Sequence, residues 1–118
     1  MSTLKVNALQ DTSGNGFYPA RALVNFNGTG TVAIRDSENV SSITDVTTGT
    51  YEVNWSNNFS NANYISSGVT NNVAIGGECW QIYSTSQVPT TSLLRVFTTR
   101  YASGFDAQFC NVTTTGNM

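Results

Sequence analysis

The sequence contains no histidine, two cysteines, two prolines and few charges. Without histidine it lacks the commonest general base and the commonest metal ligand. Cys79 and Cys110 form neither a zinc set nor a disulfide framework. They read either as buried thiols or as a cross-strand bridge. Asp and Glu do not follow the ligand spacing of a calcium loop, so no metal and no cofactor is expected. The five Lys and Arg residues (Lys5, Arg21, Arg35, Arg95, Arg100) are scattered. Binding to a phosphate backbone draws on clustered cations, so nucleic acid is not an expected partner. No apolar run approaches the roughly 18 residues of a membrane span, and no membrane insertion is expected. The N-terminus has no apolar signal core.

What is present is polar and uncharged. Ser, Thr and Asn supply 44 of the 118 residues, and charged residues only 10%, against about 25% in ordinary globular chains. The length is that of one domain able to hold its own core. Apolar residues recur with period two: Ala20, Ala22, Val24 and Phe26; Val32 and Ile34; Tyr51, Val53 and Trp55; Leu94 and Val96. That spacing marks half-buried strands, and no window supports an amphipathic helix. Asn27-Gly28-Thr29-Gly30 reads as a hairpin loop joining strands near 20–26 and 31–36. Asn57–Asn63 reads as a loop with Phe59 as its apolar plug. Pro89 ends the run containing Trp80, Ile82 and Tyr83. Two closing strands are expected near 92–101 and 105–113. Turn signals about every ten residues predict an all-β antiparallel sandwich or a barrel-like domain.

Residues 1–19 differ from the rest. Leu4, Val6 and Leu9 are the apolar points of an extended arm, followed by a Gly-containing joint at 11–16. So short a segment is either disordered or docked on a neighbouring chain. The predicted organisation is thus an arm at 1–19, a β domain at 20–113 and a polar tail at 114–118.

Candidate chemistry is thin. Asp36 and Glu38 could serve as a glycosidase pair only if they flanked a cleft, and they read first as solvated rim residues; Asp45, a further acid an enzyme could use, lies beside a turn, where Asp bonds its own backbone. No G-x-S-x-G elbow occurs, and no histidine is present to activate one. Trp80, Tyr83 and Tyr101 are the candidate binding residues. Aromatic rings stack on sugars, and Asn, Ser and Thr hydrogen-bond their hydroxyls. The same rings suit a subunit interface, and Trp80 and Phe105 also suit the core.

The stretch Ala20–Arg35 (ARALVNFNGTGTVAIR), then Asn39–Asp45 (NVSSITD), Gly49–Asn54 (GTYEVN) and Ala62–Tyr64 (ANY) resembles a recurring block. The block occurs in tail-fibre and other virion proteins of tailed bacteriophages, notably those of marine bacteria and cyanobacteria. With the lead-in Leu4–Gly14, the resemblance covers about residues 4–65. It implies a β-rich domain, usually a homotrimer, on a tail appendage or the head surface of the virion. It implies attachment to host cell-surface molecules, commonly glycans, and other virion proteins as partners. It implies no enzymatic activity, and it assigns no binding residues at particular positions. Family members often carry a long shaft before this domain. Here the domain begins close to Met1, which fits a small virion protein using residues 1–19 as its docking arm. The alternative is a head decoration or tail adaptor whose ligand is another virion protein.

Overall fold

A computed structural model describes residues 2–16, 19–71, 78–81, 88–100 and 103–118; residues 78–81 and Arg100 are described by their backbone. The described residues hold nine strands and no helix: β1 Ala22–Asn27, β2 Ala33–Glu38, β3 Val40–Thr47, β4 Thr50–Trp55, β5 Ile65–Asn71, β6 Glu78–Gln81, β7 Leu93–Arg100, β8 Ser103–Gly104 and β9 Phe109–Thr115. They form two antiparallel sheets, β2-β1-β9-β5 and β3-β4-β7-β6, with β8 paired to β7. The all-β expectation therefore holds.

Both sheets feed one core. Ala22, Val24 and Phe26 of β1 and Cys110 and Val112 of β9 face Tyr51, Val53 and Trp55 of β4 and Leu94 and Val96 of β7. Each fully buried large side chain contributes about 1.5–3 kcal/mol relative to exposure. The Phe26 and Tyr51 rings meet edge to face across the two sheets, with centroids 5.2 Å apart. Phe59 plugs one end, tilted on Tyr64 at 4.7 Å and edge-on to Trp55 at 5.3 Å. The period-two pattern is the cause: alternate side chains share one face of a strand.

Three strands fall outside the sequence expectations, among them the two-residue β8, which occupies the break expected between the two closing strands. β3 and β5 carry no clean alternation, because β3 is an edge strand exposed along most of its length and β5 turns its apolar residues outward. Ile65 and Val69 pair opposite Thr115 and Asn111 on the solvent side, while Ser66, Gly68 and Thr70 lie opposite Thr114, Val112 and Cys110. The closing strand also shifts, beginning at Phe109 rather than 105. Phe105 and Asp106 are held elsewhere: the Phe105 N–H donates to the Thr98 carbonyl, and Asp106 accepts the Gly49 N–H at 2.8 Å. β9 then runs to Thr115, inside the expected tail, and Thr114 is buried with its hydroxyl 2.6 Å from that of Ser66.

The crossing from β2 to β3 is fixed by Asn39, whose φ is +57°. Asparagine tolerates this left-handed conformation better than most residues. Its Oδ1 accepts the Asn57 N–H at 2.7 Å and its Nδ2 donates to the Asn57 carbonyl at 3.1 Å. The two sheets are thereby tied at the end of β4.

Candidate assembly surface

Residues 2–9 have no strand partner among the described residues, and all are exposed. Leu4 is 82% exposed, Val6 55% and Leu9 54%. The arm leaves the body through a compact turn rather than a loose joint. Gln10 bridges Gly16, and the Asp11 N–H donates to the Asn15 carbonyl at 2.9 Å. The Asp11 carboxylate sits inside this turn. Its Oδ1 accepts the Ser13 and Asn15 N–H groups at 2.9 Å each, and its Oδ2 accepts the Asn15 side-chain amide at 2.9 Å. The Asn15 bonds, and then those of Ser13 and Gly14, hold the Asp11 carboxyl below its ordinary value. This is Asx-turn chemistry, in which Asp bonds the backbone just ahead of it. Gly14, at φ +86°, supplies the left-handed residue that the turn needs.

A groove of about 940 Å³ separates the arm from the body. Val6, Ala8 and Leu9 form one wall; Arg21, Ile65 and Asn117 stand on the other. That second wall is braced by the Thr115 hydroxyl, which donates to the Pro19 carbonyl at 2.9 Å, and by the Ser60 N–H, which donates to the Asn117 carbonyl at 2.8 Å. The described lining contains one charged side chain, Arg21, and no carboxylate. Apolar ridges flanked by amides suit an extended polypeptide and offer no acid–base pair.

The outer face of the four-stranded sheet carries a second feature. Arg35 reaches across three strands: its Nη1 donates to Asn25 Oδ1 at 3.0 Å and its Nη2 to the Gln108 carbonyl at 2.7 Å. Its guanidinium carbon lies 4.4 Å from the centroid of the Phe109 ring, a cation–π geometry. Asn111 and Ser67 lie on the same outward side. On the opposite sheet the outer polar groups bond one another. Arg95 pairs with Glu52 at 3.0 Å, and the Asn54 amide donates to the Ser42 and Thr44 hydroxyls at 3.1 and 3.0 Å.

Of the residues singled out in the sequence, Leu4, Val6 and Leu9 lie on the exposed arm, and two of them line the groove. Trp80 lies in β6 with its backbone opposite Thr98. Tyr83 and Tyr101 lie outside the described residues. Asp36 and Glu38 stand opposite Asn25 and Leu23 on β2, and Asp45 is on β3 of the other sheet, so the three acids do not share a cleft. Cys79 pairs opposite Thr99, and Cys110 opposite Phe26 and Thr70. The two cysteines are thus not cross-strand neighbours. The Cys110 thiol is buried, 3.6 Å from the Ala107 carbonyl. Among the described residues no three Cys, Asp or Glu come together as a metal set. Sequence reasoning missed Arg35, Phe109 and Ile65. For Arg35 the signal was its place in a strand next to a neutral, Asn-rich one.

No family model, no curated protein and no solved structure matches the chain.

Proposed function

We propose that this protein is a structural component of a tailed-bacteriophage virion, of tail-fibre type. Its arm serves assembly, and its β body contacts the host surface as a homotrimer. One observation carries the reading: a body with a buried two-sheet core bears an apolar arm that stays exposed among the described residues. Leu4, Val6 and Leu9 are each more than half exposed while the core side chains of both sheets are buried. Apolar side chains gathered on one exposed segment, rather than scattered singly, suit a contact with another chain. The resemblance of residues 4–65 to virion domains supplies the setting. The host-surface partner is a glycan or a protein. Neutral amides and hydroxyls on the outer β face, beside the Arg35–Phe109 stack, suit the wet hydrogen bonding of a sugar surface. Trp80, Tyr83 and Tyr101 remain the aromatic candidates for that contact. The reading assigns no enzymatic activity.

A second reading, a head decoration or tail adaptor without a receptor role, is favoured by the same arm. The discriminating experiment adds labelled protein, intact or lacking residues 1–19, to phage particles prepared without it and to bacterial cells. An attachment protein binds cells with or without its arm and loads onto particles only with it. A decoration or adaptor protein loads onto particles through its arm and ignores cells. If neither form binds particles or cells, both readings fall.

A further inference from the structure

We propose that residues 3–9 of one copy of this chain add as an extra strand to the β5 edge of a second copy. The argument begins with the sheet edges. β2 carries Arg35, Asp36 and Glu38, and its pairing slips at Asn25/Phe26. β3 carries Asp45 and two register irregularities. β6, four residues long among the described residues, begins with Glu78. Charges, bulges and shortness are the devices that keep a sheet edge from recruiting another strand. β5 has none of them. It is seven residues, Ile-Ser-Ser-Gly-Val-Thr-Asn, without charge or proline, and it pairs with β9 through seven consecutive residues without a shift. It ends its sheet; β6 packs close beside part of it, but among the described residues its far side has no ladder partner.

The arm has the complementary properties. Residues 3–8, Thr-Leu-Lys-Val-Asn-Ala, alternate polar and apolar, Leu9 adds a second apolar residue, and residues 3–9 have no strand partner among the described residues. Seven residues of strand span about 23 Å, which is the length of β5. An added strand with Leu4, Val6 and Ala8 on the outer side would set them beside Ile65 and Val69, which are 72% and 66% exposed. Apolar cross-strand pairs of that kind are the unit of sheet stabilisation. The radius of gyration, 15.7 Å, exceeds the about 13.5 Å of a compact chain of this length, as expected when an arm stands off its own body. The contact is head-to-tail, and it closes into a ring when the rotation between copies permits. The proposal rests on the assembly part of the reading above and names the contact that makes it.

The test mixes two chains and records native mass. A tagged chain carries Leu4→Cys or Val6→Cys, and an untagged chain carries Ile65→Cys or Val69→Cys; the four mixtures are oxidised beside unsubstituted chains as background. The expected result is a tagged–untagged disulfide above background in at least one mixture, with a wild-type native mass that is a multiple of the monomer. Ser67→Lys, which sets a charge on the edge, should return the mass to that of the monomer with an unchanged circular dichroism spectrum. An oligomer that forms no heterodisulfide in any mixture overturns the arm-to-edge contact and leaves assembly standing. A wild-type monomer overturns both. A single chain carrying both Val6→Cys and Val69→Cys is oxidised alongside; if it bridges internally while no mixture bridges between chains, the arm closes on its own edge and the proposal is overturned.

Discussion

The Tyr51 hydroxyl lies 2.8 Å from Oδ1 of Asp106 and 2.8 Å from the Gly28 carbonyl, joining three turns at one end of the sandwich. Asp106 Oδ1 also accepts the Gly49 N–H at 2.8 Å, and the Gly28 N–H donates to the Ala107 carbonyl at 2.8 Å. The loops after β1 and β3 and the lead-in to β9 therefore share one partly buried polar centre. Tyr51→Phe keeps the ring against Phe26 and removes the hydroxyl. The expected cost is about 1.5–3 kcal/mol, the range for hydrogen bonds to charged groups, read by chemical denaturation. A double-mutant cycle with Asp106→Ala should give a larger coupling than the cross-strand Glu52–Arg95 pair. That pair is partly solvated and should couple by under about 1 kcal/mol.

Glycine is required beside this centre. A methyl group on Gly28 would overlap the Tyr51 hydroxyl and the Ala107 carbonyl, and one on Gly49 would overlap the Thr98 carbonyl and the Phe105 nitrogen. Gly49 also has φ +77°. Gly49→Ala should therefore destabilise by more than the about 1 kcal/mol that a strained backbone alone costs. Gly14→Ala, at φ +86° with open space around it, should show the backbone cost alone, and only in the exposed turn. Thermal unfolding of both variants makes the comparison.

Asn39 offers a separation of conformation from hydrogen bonding. Asn39→Gly keeps access to the left-handed backbone and loses both bonds to Asn57. Asn39→Ala loses the bonds and adds strain. The alanine variant should be the less stable by about 1 kcal/mol, measured as a shift of the denaturation midpoint.

Two pH effects follow from the titrating groups. The Asp11 carboxyl is held below its ordinary value by its turn. Its contribution is complete above the unfolded value, near 3.9, and is lost as pH falls through the lower folded value. Acidification below about 4 should expose the Ser13 and Asn15 amides to hydrogen exchange while the core amides stay protected. At the other end, burial and then Asp106 raise the Tyr51 phenol, and burial raises that of Tyr64. Here the neutral form is the one stabilised. That stability is complete below about 10 and declines as pH rises toward the raised folded values. Phenolate absorbance should show these two tyrosines ionising together with unfolding, not before it.

The legible part of the fold was the part with one wet face and one dry face. β1, β4 and β7 alternate because each passes through the middle of a sheet over the shared core. β5 was illegible for a physical reason: its register with β9 puts Ile65 and Val69 in solvent and Ser66 and Thr70 inside, the reverse of the usual pattern. The arm was legible as an apolar segment with little to bury. The wall it faces was not, because Ile65 and Asn117 lie far from it in sequence. Arg35 on Phe109 is separated by the whole middle of the chain, and only the β2-β1-β9 order brings the two together.

The most direct test of virion attachment is the binding of labelled protein to intact cells from a panel of marine bacterial and cyanobacterial strains, with native mass recorded on the same sample. The account predicts saturable binding by a trimer to at least one strain, competed by polysaccharide released from that strain. A monomer, or a protein that binds no strain, would contradict it.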